Sequence, residues 1–196
     1  MTPAIFGFSG AKLTKDERSF FKDADPAGYV LFARNCIDAE QLRSLTDDLR
    51  SIHGREKLLV AIDQEGGRVA RLRPPEWGSY PSGETYHNLF QKAPISAIEA
   101  ARLGAEAMAI ELSYMGISVN FYPSLDVRCE SGHEVIGDRA LGYTAEQLAA
   151  LGKAILEGLE EGGVSGCVKQ RPGHGRTNTD THHHLPVVKS TALELE

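Results

Sequence analysis

The sequence has little of several features that mark specialised classes of protein. It has three cysteines and no apolar run near the ~20 residues that a membrane-spanning helix needs, so we expect no membrane partner. Acidic residues outnumber basic ones, giving a formal net charge of −6. Because proteins that bind the phosphate backbone present a net basic surface, this balance argues against a nucleic-acid partner.

The few cysteines and the first residues of the chain bear on the cellular compartment. Cys36, Cys129 and Cys167 are far apart and form no CxxC pair, so we interpret them as small packing residues of a reducing environment. Residues 1–10 lack the basic and apolar regions of a signal peptide. We therefore expect a cytoplasmic protein.

The remaining composition is that of an ordinary folded domain. The chain has 196 residues, of which 41% are hydrophobic and 24% charged, enough to bury one core. No internal repeat, low-complexity tract or linker divides it. We therefore treat residues 1–196 as a single domain.

Apolar runs of strand type alternate with amphipathic stretches of helix type. The predicted strands cover residues 4–8, 28–33, 58–62, 117–121 and 164–168. Helices are predicted to begin at Thr14, Asp38, Ser96 and Thr144, each followed three residues later by Glu or Gln, as in a capping box. Thr191 begins one further capping-box pattern.

The predicted strands are apolar throughout, which is typical of a parallel sheet that helices cover. Two architectures remain open on this evidence, a doubly wound open sheet and a (β/α)8 barrel, and five strands slightly favour the open sheet. No glycine-rich phosphate-binding loop follows any strand, which excludes the usual nucleotide-binding interpretations.

Polar residues are concentrated just after the third and fourth predicted strands. In parallel α/β proteins the loops at the carboxyl ends of the strands converge and build the site. Asp63 and Arg71 follow the third strand around a Gly-Gly pair, a pattern that equally suits a tight turn capped by Asp63. Asp126 and Arg139 follow the fourth, and the Arg139 guanidinium suits either an ion pair with Asp138 or sugar hydroxyls.

The longest polar segment, residues 169–186, follows the fifth predicted strand. It is too long for a simple connection and too polar for a core, which favours a functional role. Its three consecutive histidines, residues 182–184, invite a metal interpretation, but adjacent residues converge poorly on one ion, so we predict no metal. Asp180 lies two residues before His182, and a carboxylate beside an imidazole raises its pKa and suits it to proton transfer.

Four motifs occur together along the chain. They are Asp-Gln-Glu-Gly-Gly-Arg at 63–68, Gly-Asp-Arg at 137–139, Lys-x-x-Pro-Gly-His-Gly at 169–175 and Asp-Thr-His-x-x-Leu-Pro at 180–186. In this order they resemble the bacterial family 3 β-N-acetylglucosaminidases, glycoside hydrolases that recycle cell-wall muropeptides. The resemblance implies an incomplete (β/α)8 TIM-type barrel with about five of the eight βα units, which overrides the slight preference for an open sheet. It also implies release of terminal β-linked N-acetylglucosamine with retention of configuration and no cofactor.

The resemblance assigns roles to individual residues. The family uses a histidine on a mobile loop, paired with an aspartate, as its acid/base, and these correspond to His182 and Asp180. The residues that correspond to sugar-binding positions are Asp63, Arg71, Arg139, Lys169 and Gln170. A carboxylate there accepts hydroxyl hydrogen bonds while arginine and lysine donate them.

The chain departs from the family pattern in two respects. Gln170 stands where the family has a sugar-contacting histidine, and Arg171 stands where it has an aromatic ring, so affinity and loop packing are both affected. The family nucleophile, an aspartate in a Ser-Asp-Asp-like motif after a later strand, has no counterpart in the sequence, and Asp126 does not sit in such a motif. Because retaining glycosidases need that nucleophile, we expect a C-terminally truncated chain with weak or no turnover.

Five strands cannot close an eight-stranded barrel, so we also expect an unpaired sheet edge prone to self-association. Two alternatives to an enzyme of this family stay open. One is a non-catalytic remnant that binds a saccharide or forms an oligomer, and the other, less favoured, is a metal hydrolase that uses His174, His182 and His184.

Overall fold

The computed structural model describes residues 1–129, 132–170, 173–177, 179–180, 183–188 and 191. The strands of this part are β1 (Thr2–Phe6), β2 (Pro26–Leu31), β3 (Leu59–Ile62), β4 (Val119–Asn120) and β5 (Ser165–Gly166). The α-helices are α1 (Lys15–Ala24), α2 (Ala39–His53), α3 (Gly83–Phe90), α4 (Pro94–Tyr114) and α5 (Ala145–Glu161), with short 3-10 turns at Ala33–Asn35 and Gly137–Arg139.

The sheet has the strand order β1-β2-β3-β4-β5, and every neighbouring pair is parallel. A doubly wound sheet reverses its strand order at a switch point, whereas here each strand lies beside the one before it. Since crossovers between parallel strands are right-handed, steps in a single direction place all the crossover helices on one face. The described strands are therefore a section of barrel wall, which confirms the barrel prediction and excludes the open doubly wound sheet.

Local capping determines where three of the helices begin. The Thr14 hydroxyl accepts a hydrogen bond from the Glu17 amide at 3.1 Å, and the Glu17 carboxylate accepts one from the Thr14 amide at 2.9 Å. Asp38 and Thr144 likewise cap α2 and α5 through the amides three residues on. These three starts were predicted correctly because each depends only on a hydroxyl or carboxylate and its near neighbours.

The predicted helices differ from the structure in two places. The long helix α4 begins at Pro94 and not at the capping-box pattern of Ser96, because proline at the first helical position has a preset φ and no amide to satisfy. Helix α3 was not predicted, since Ser82 makes no side-chain cap hydrogen bond and the segment is short. The Thr191 pattern falls mainly on residues 192–196, which lie outside the described residues.

The strands differ from their predicted bounds. β1 and β2 each begin and end two residues earlier than predicted, because the chain after β2 enters the 3-10 turn at Ala33–Asn35 and Phe8 packs into the core from a loop. β4 and β5 are shorter than predicted, with only Val119–Asn120 and Ser165–Gly166 paired as strands. The first charged residues after these two short strands are Asp126 and Lys169.

The helices pack closely against the sheet and against one another. Leu42, Leu49 and Leu151 are fully buried between helices and strands. Helices α4 and α5 approach so closely that a Cβ built on Gly158 would lie 2.1 Å from the backbone oxygen of Arg102. No helix in the described part of the chain combines the length and apolar character that crossing a membrane requires.

Candidate active site

The loop after β3 is folded back by a buried glutamine. The Gln64 side chain accepts hydrogen bonds from the amides of Arg71 and Leu72 at 2.9 and 3.1 Å, and donates to the Leu72 carbonyl at 3.0 Å. Its backbone is tied to the end of β4 by the Asn120 amide group, at 3.0 and 2.8 Å. These bonds bring Arg71 back beside Asp63, the first residue after β3.

Charged side chains from three loops meet at the carboxyl edge of the sheet. The Asp63 carboxylate contacts Lys169 Nζ at 2.7 Å and Arg71 Nη2 at 3.2 Å. The same Lys169 Nζ lies 2.7 Å from Glu65, whose carboxylate also receives Arg139 Nε and Nη2 at 2.9 and 2.8 Å. We call these five residues the charged cluster; it carries three cations and two carboxylates.

The predicted sugar-binding residues Asp63, Arg71, Arg139 and Lys169 thus lie in one contiguous cluster, although they are spread over more than a hundred residues of sequence. Gln170 follows directly, and its amide oxygen lies 2.9 Å from His174 Nδ1. Sugar binding by these five residues remains a prediction.

Glu65 and Arg139 form the most buried ion pair of the cluster. Glu65 is 3% exposed. Burial by itself would lower the pKa of the neighbouring Arg139 guanidinium. The hydrogen bonds and charge of Glu65, with the charges of Asp126 and Asp63, outweigh that effect and raise the pKa of Arg139 above its ordinary value. Arg139 is therefore a permanent cation.

A second buried carboxylate, Asp126, holds the Pro-Gly-His-Gly loop. Its Oδ1 accepts hydrogen bonds from the backbone amides of His174 and Gly175, and the Ser124 hydroxyl lies 3.3 Å from Oδ2. Gly173 has φ +95°, and a Cβ added there would come within 2.5 Å of Asp126 Oδ1. Only glycine therefore fits against this carboxylate.

Sequence reasoning missed the roles of Glu65 and Asp126. Glu65 was quoted only as part of a motif, and Asp126 was considered only as a nucleophile. Both follow strands of the same sheet edge, and the Gly-x-Gly sequence after Lys169 offers bare backbone amides. Together these signals could have predicted a carboxylate that anchors the loop.

The predicted acid/base pair is only partly within the described residues. Asp180 is described, and its carbonyl accepts hydrogen bonds from the amides of His183 and His184 at 3.1 and 3.0 Å. His182 and Arg171 lie outside the described residues. The pairing of Asp180 with His182 therefore stays a prediction.

Nothing in the described part of the chain supports the metal interpretation. Among those residues, no group of three or more histidine, cysteine, aspartate or glutamate side chains is arranged to hold a metal ion.

Comparison with known proteins decides the family. Residues 5–196 match the Glycosyl hydrolase family 3 N terminal domain. The chain belongs to this family. The family resemblance read from the four motifs is thereby confirmed.

Relatives of the family 3 chain are similar in both sequence and structure. A β-hexosaminidase of Bordetella pertussis is 36% identical over 187 residues, which cover 94% of this chain and 52% of the relative. NagZ from Neisseria gonorrhoeae, solved in complex with N-trifluoroacetyl-D-glucosamine, is 32% identical with a TM-score of 0.93 over 99% of this chain and 57% of its own. A family 3 β-N-acetylglucosaminidase from Paenibacillus sp. str. FPU-7 is 34% identical with a TM-score of 0.88, over 97% of this chain and 36% of its own.

The family 3 chain spans about half the length of the curated relatives it matches. Its parallel, unclosed sheet agrees with an incomplete TIM-type barrel, as the motifs implied.

Proposed function

We propose that this family 3 chain belongs to a cytoplasmic retaining β-N-acetylhexosaminidase, an enzyme that acts on terminal β-linked N-acetylglucosamine of cell-wall fragments. The observation that carries the proposal is the contact of Lys169 with Asp63 at 2.7 Å, which joins the motifs at 63–68 and 169–175 in one cluster. The names of the relatives, a β-hexosaminidase and a NagZ bound to a glucosamine derivative, point to the same class of sugar.

The more exposed members of the charged cluster are suited to bind a saccharide. Side-chain exposures are 21% for Asp63, 28% for Arg71 and 20% for Lys169, against 3% for Glu65. An ionised Asp63 accepts hydrogen bonds from two hydroxyls, while Arg71 and Lys169 donate to hydroxyl or acyl oxygens. The cluster therefore offers donors and acceptors side by side, as a polyhydroxylated amino sugar requires.

The proposed reaction assigns proton transfer to His182 with Asp180. His182 protonates the glycosidic oxygen as the bond to the anomeric carbon breaks, and it later accepts a proton from the water that hydrolyses the glycosyl-enzyme intermediate. Attack on the anomeric carbon requires the family nucleophile, whose motif is not among these 196 residues. We therefore propose that the 196-residue polypeptide alone binds sugar but turns it over weakly or not at all.

Calorimetric titration with N-acetylglucosamine tests the binding site. We expect Asp63→Ala to weaken binding by about tenfold or more, since loss of one charged hydrogen-bond partner corresponds to about 1.4 kcal/mol or above. Asp23→Ala, at an exposed aspartate of α1, is the matched control and should bind like the unaltered chain. Equal heats for all three proteins, or no heat from the unaltered chain, would exclude the proposed sugar site.

Release of nitrophenol from a nitrophenyl N-acetyl-β-glucosaminide tests turnover. Binding without release supports the non-catalytic saccharide-binding alternative for this polypeptide. Release above trace rates would contradict the proposed lack of turnover.

We further propose that the polypeptide pairs with a second copy through the edges of its sheet. Among the described strands, β1 and β5 each have only one neighbour, and unpaired strand edges favour association. Sedimentation velocity should detect a dimer whose population rises with concentration, and a strictly monomeric chain would refute this.

A further inference from the structure

The carboxylate of Glu65 is the buried centre of the charged cluster, and the proposed reaction assigns it no role. Its Oε2 receives Arg139 Nε at 2.9 Å, and its Oε1 receives both Arg139 Nη2 at 2.8 Å and Lys169 Nζ at 2.7 Å. Both oxygens are thus occupied by protein cations. Both oxygens of Asp63 also contact cations, but Asp63 is 21% exposed whereas Glu65 is 3% exposed, so burial leaves Glu65 out of reach of sugar hydroxyls.

Glu65 also joins three separate segments of the rim. It lies in the loop after β3, Arg139 belongs to the 3-10 turn Gly137–Arg139, and Lys169 follows β5. Among the described residues, no other carboxylate contacts both a cation of the turn Gly137–Arg139 and a cation of the segment after β5. Its position is that of a link between loops.

The stability of the fold does not by itself explain such a link. Burying two or more charges is costly, and a buried ion pair often contributes little more than an apolar pair of similar volume would. What the charge of Glu65 does provide is a fixed location for Lys169, whose ammonium is drawn equally, at 2.7 Å, to Glu65 and Asp63.

We propose that Glu65 is a positioning residue that holds Lys169 and Arg139 in the geometry that binds the sugar. Without its charge, three cations surround the single carboxylate of Asp63, and Lys169 and Arg139 repel each other. Lys169 then pairs with Asp63 alone, and both groups are withdrawn from the ligand. The inference rests on the proposed sugar site and deepens it.

The test compares Glu65→Gln, which keeps the shape but removes the charge, with the unaltered chain and with Lys169→Met. Calorimetry with N-acetylglucosamine should give a dissociation constant raised on the order of tenfold by Glu65→Gln. In the Lys169→Met background the same substitution should change it by a smaller factor, because one of the two cations that Glu65 positions is already gone. Glu134→Gln, at an exposed carboxylate of the same rim, is the control and should leave the constant unchanged.

Two results would overturn the inference. One is an unchanged dissociation constant in Glu65→Gln. The other is an equal loss in both backgrounds together with a large fall in the unfolding midpoint, which is what a merely structural role predicts.

A sugar-independent readout separates this inference from the proposed function. Because two carboxylates immobilise the ammonium of Lys169, it should give a signal in the nitrogen–proton NMR spectrum. That signal should be absent from Lys169→Met. We expect Glu65→Gln to broaden or abolish that signal even if the unaltered chain binds no sugar. An identical signal in Glu65→Gln would show that Glu65 does not hold Lys169, whatever the chain binds.

Discussion

The anchoring of the Pro-Gly-His-Gly loop by Asp126 leads to a prediction that does not depend on any ligand. Asp126→Ala removes an ionised acceptor from the amides of His174 and Gly175. Hydrogen bonds to charged groups contribute about 1.5–3 kcal/mol each. Allowing for water that reaches the freed amides, we expect the loop to lose roughly 3 kcal/mol of protection against opening.

Amide hydrogen exchange at residues 174 and 175 measures this loss directly, because a loop can open without global unfolding. A loss of roughly 3 kcal/mol corresponds to exchange faster on the order of a hundredfold. Asp126→Asn keeps the Oδ1 acceptor and should accelerate exchange by only about tenfold, or roughly 1.4 kcal/mol. Urea unfolding, followed by the fluorescence of the single tryptophan, Trp77, shows whether the core is affected as well.

Ser124→Ala serves as the control within the same cluster. It removes one neutral hydroxyl at 3.3 Å and should change exchange by less than either Asp126 variant. If exchange at residues 174 and 175 is as slow in Asp126→Ala as in the unaltered chain, Asp126 does not anchor the loop.

Three further predictions concern the fold. Gly158→Ala would place a Cβ 2.1 Å from a backbone oxygen of α4, so it should lower the unfolding free energy by about 2 kcal/mol or more in urea melts. Gly10→Ala, at a position with open space around it, is the control and should leave the unfolding free energy unchanged. Leu151→Ala, at a fully buried position, should cost about 2–5 kcal/mol in the same assay. Burial and the charge of Arg55 lower the pKa of His53 below 6.5. The contribution of His53 to stability is therefore present above pH 6.5 and declines as the pH falls towards the folded-state pKa. Over that window, the difference in unfolding free energy between the unaltered chain and His53→Asn should shrink.

The parts of the fold that sequence reasoning predicted correctly are those that depend on local chemistry. Thr14, Asp38 and Thr144 each cap a helix through an amide three residues away, so the pattern is visible in the sequence itself. Two local signals compete near the start of α4, the capping-box pattern of Ser96 and the proline at position 94, and the helix begins at the proline. The start of α3 has no side-chain cap at Ser82. A Cβ on Gly83 would lie 2.3 Å from the Arg139 carbonyl oxygen, so the start of α3 is determined by a contact with a segment more than fifty residues away.

The site divides in the same way. The motifs singled out Asp63, Arg71 and Lys169, and the structure brings these three residues together, while their roles in sugar binding stay a prediction. The contacts of Glu65 and Asp126 pair residues that are 74 and 48 positions apart, so they can be predicted only once the order of the strands places their loops at one edge of the sheet. Strand count likewise could not choose between the two architectures, because the choice depends on the order of strands in space.

That strand order also explains why the charged cluster is present in a sheet that does not close. Its members come from loops after β3, β4 and β5, which are consecutive neighbours in the sheet. Since adjacent strands lie about 4.8 Å apart, the three loops begin within roughly 10 Å of one another and need no contribution from the opposite wall of a barrel. Under the proposed function, sugar binding requires only residues that follow these neighbouring strands, whereas turnover also requires a nucleophile on the other side of the sugar.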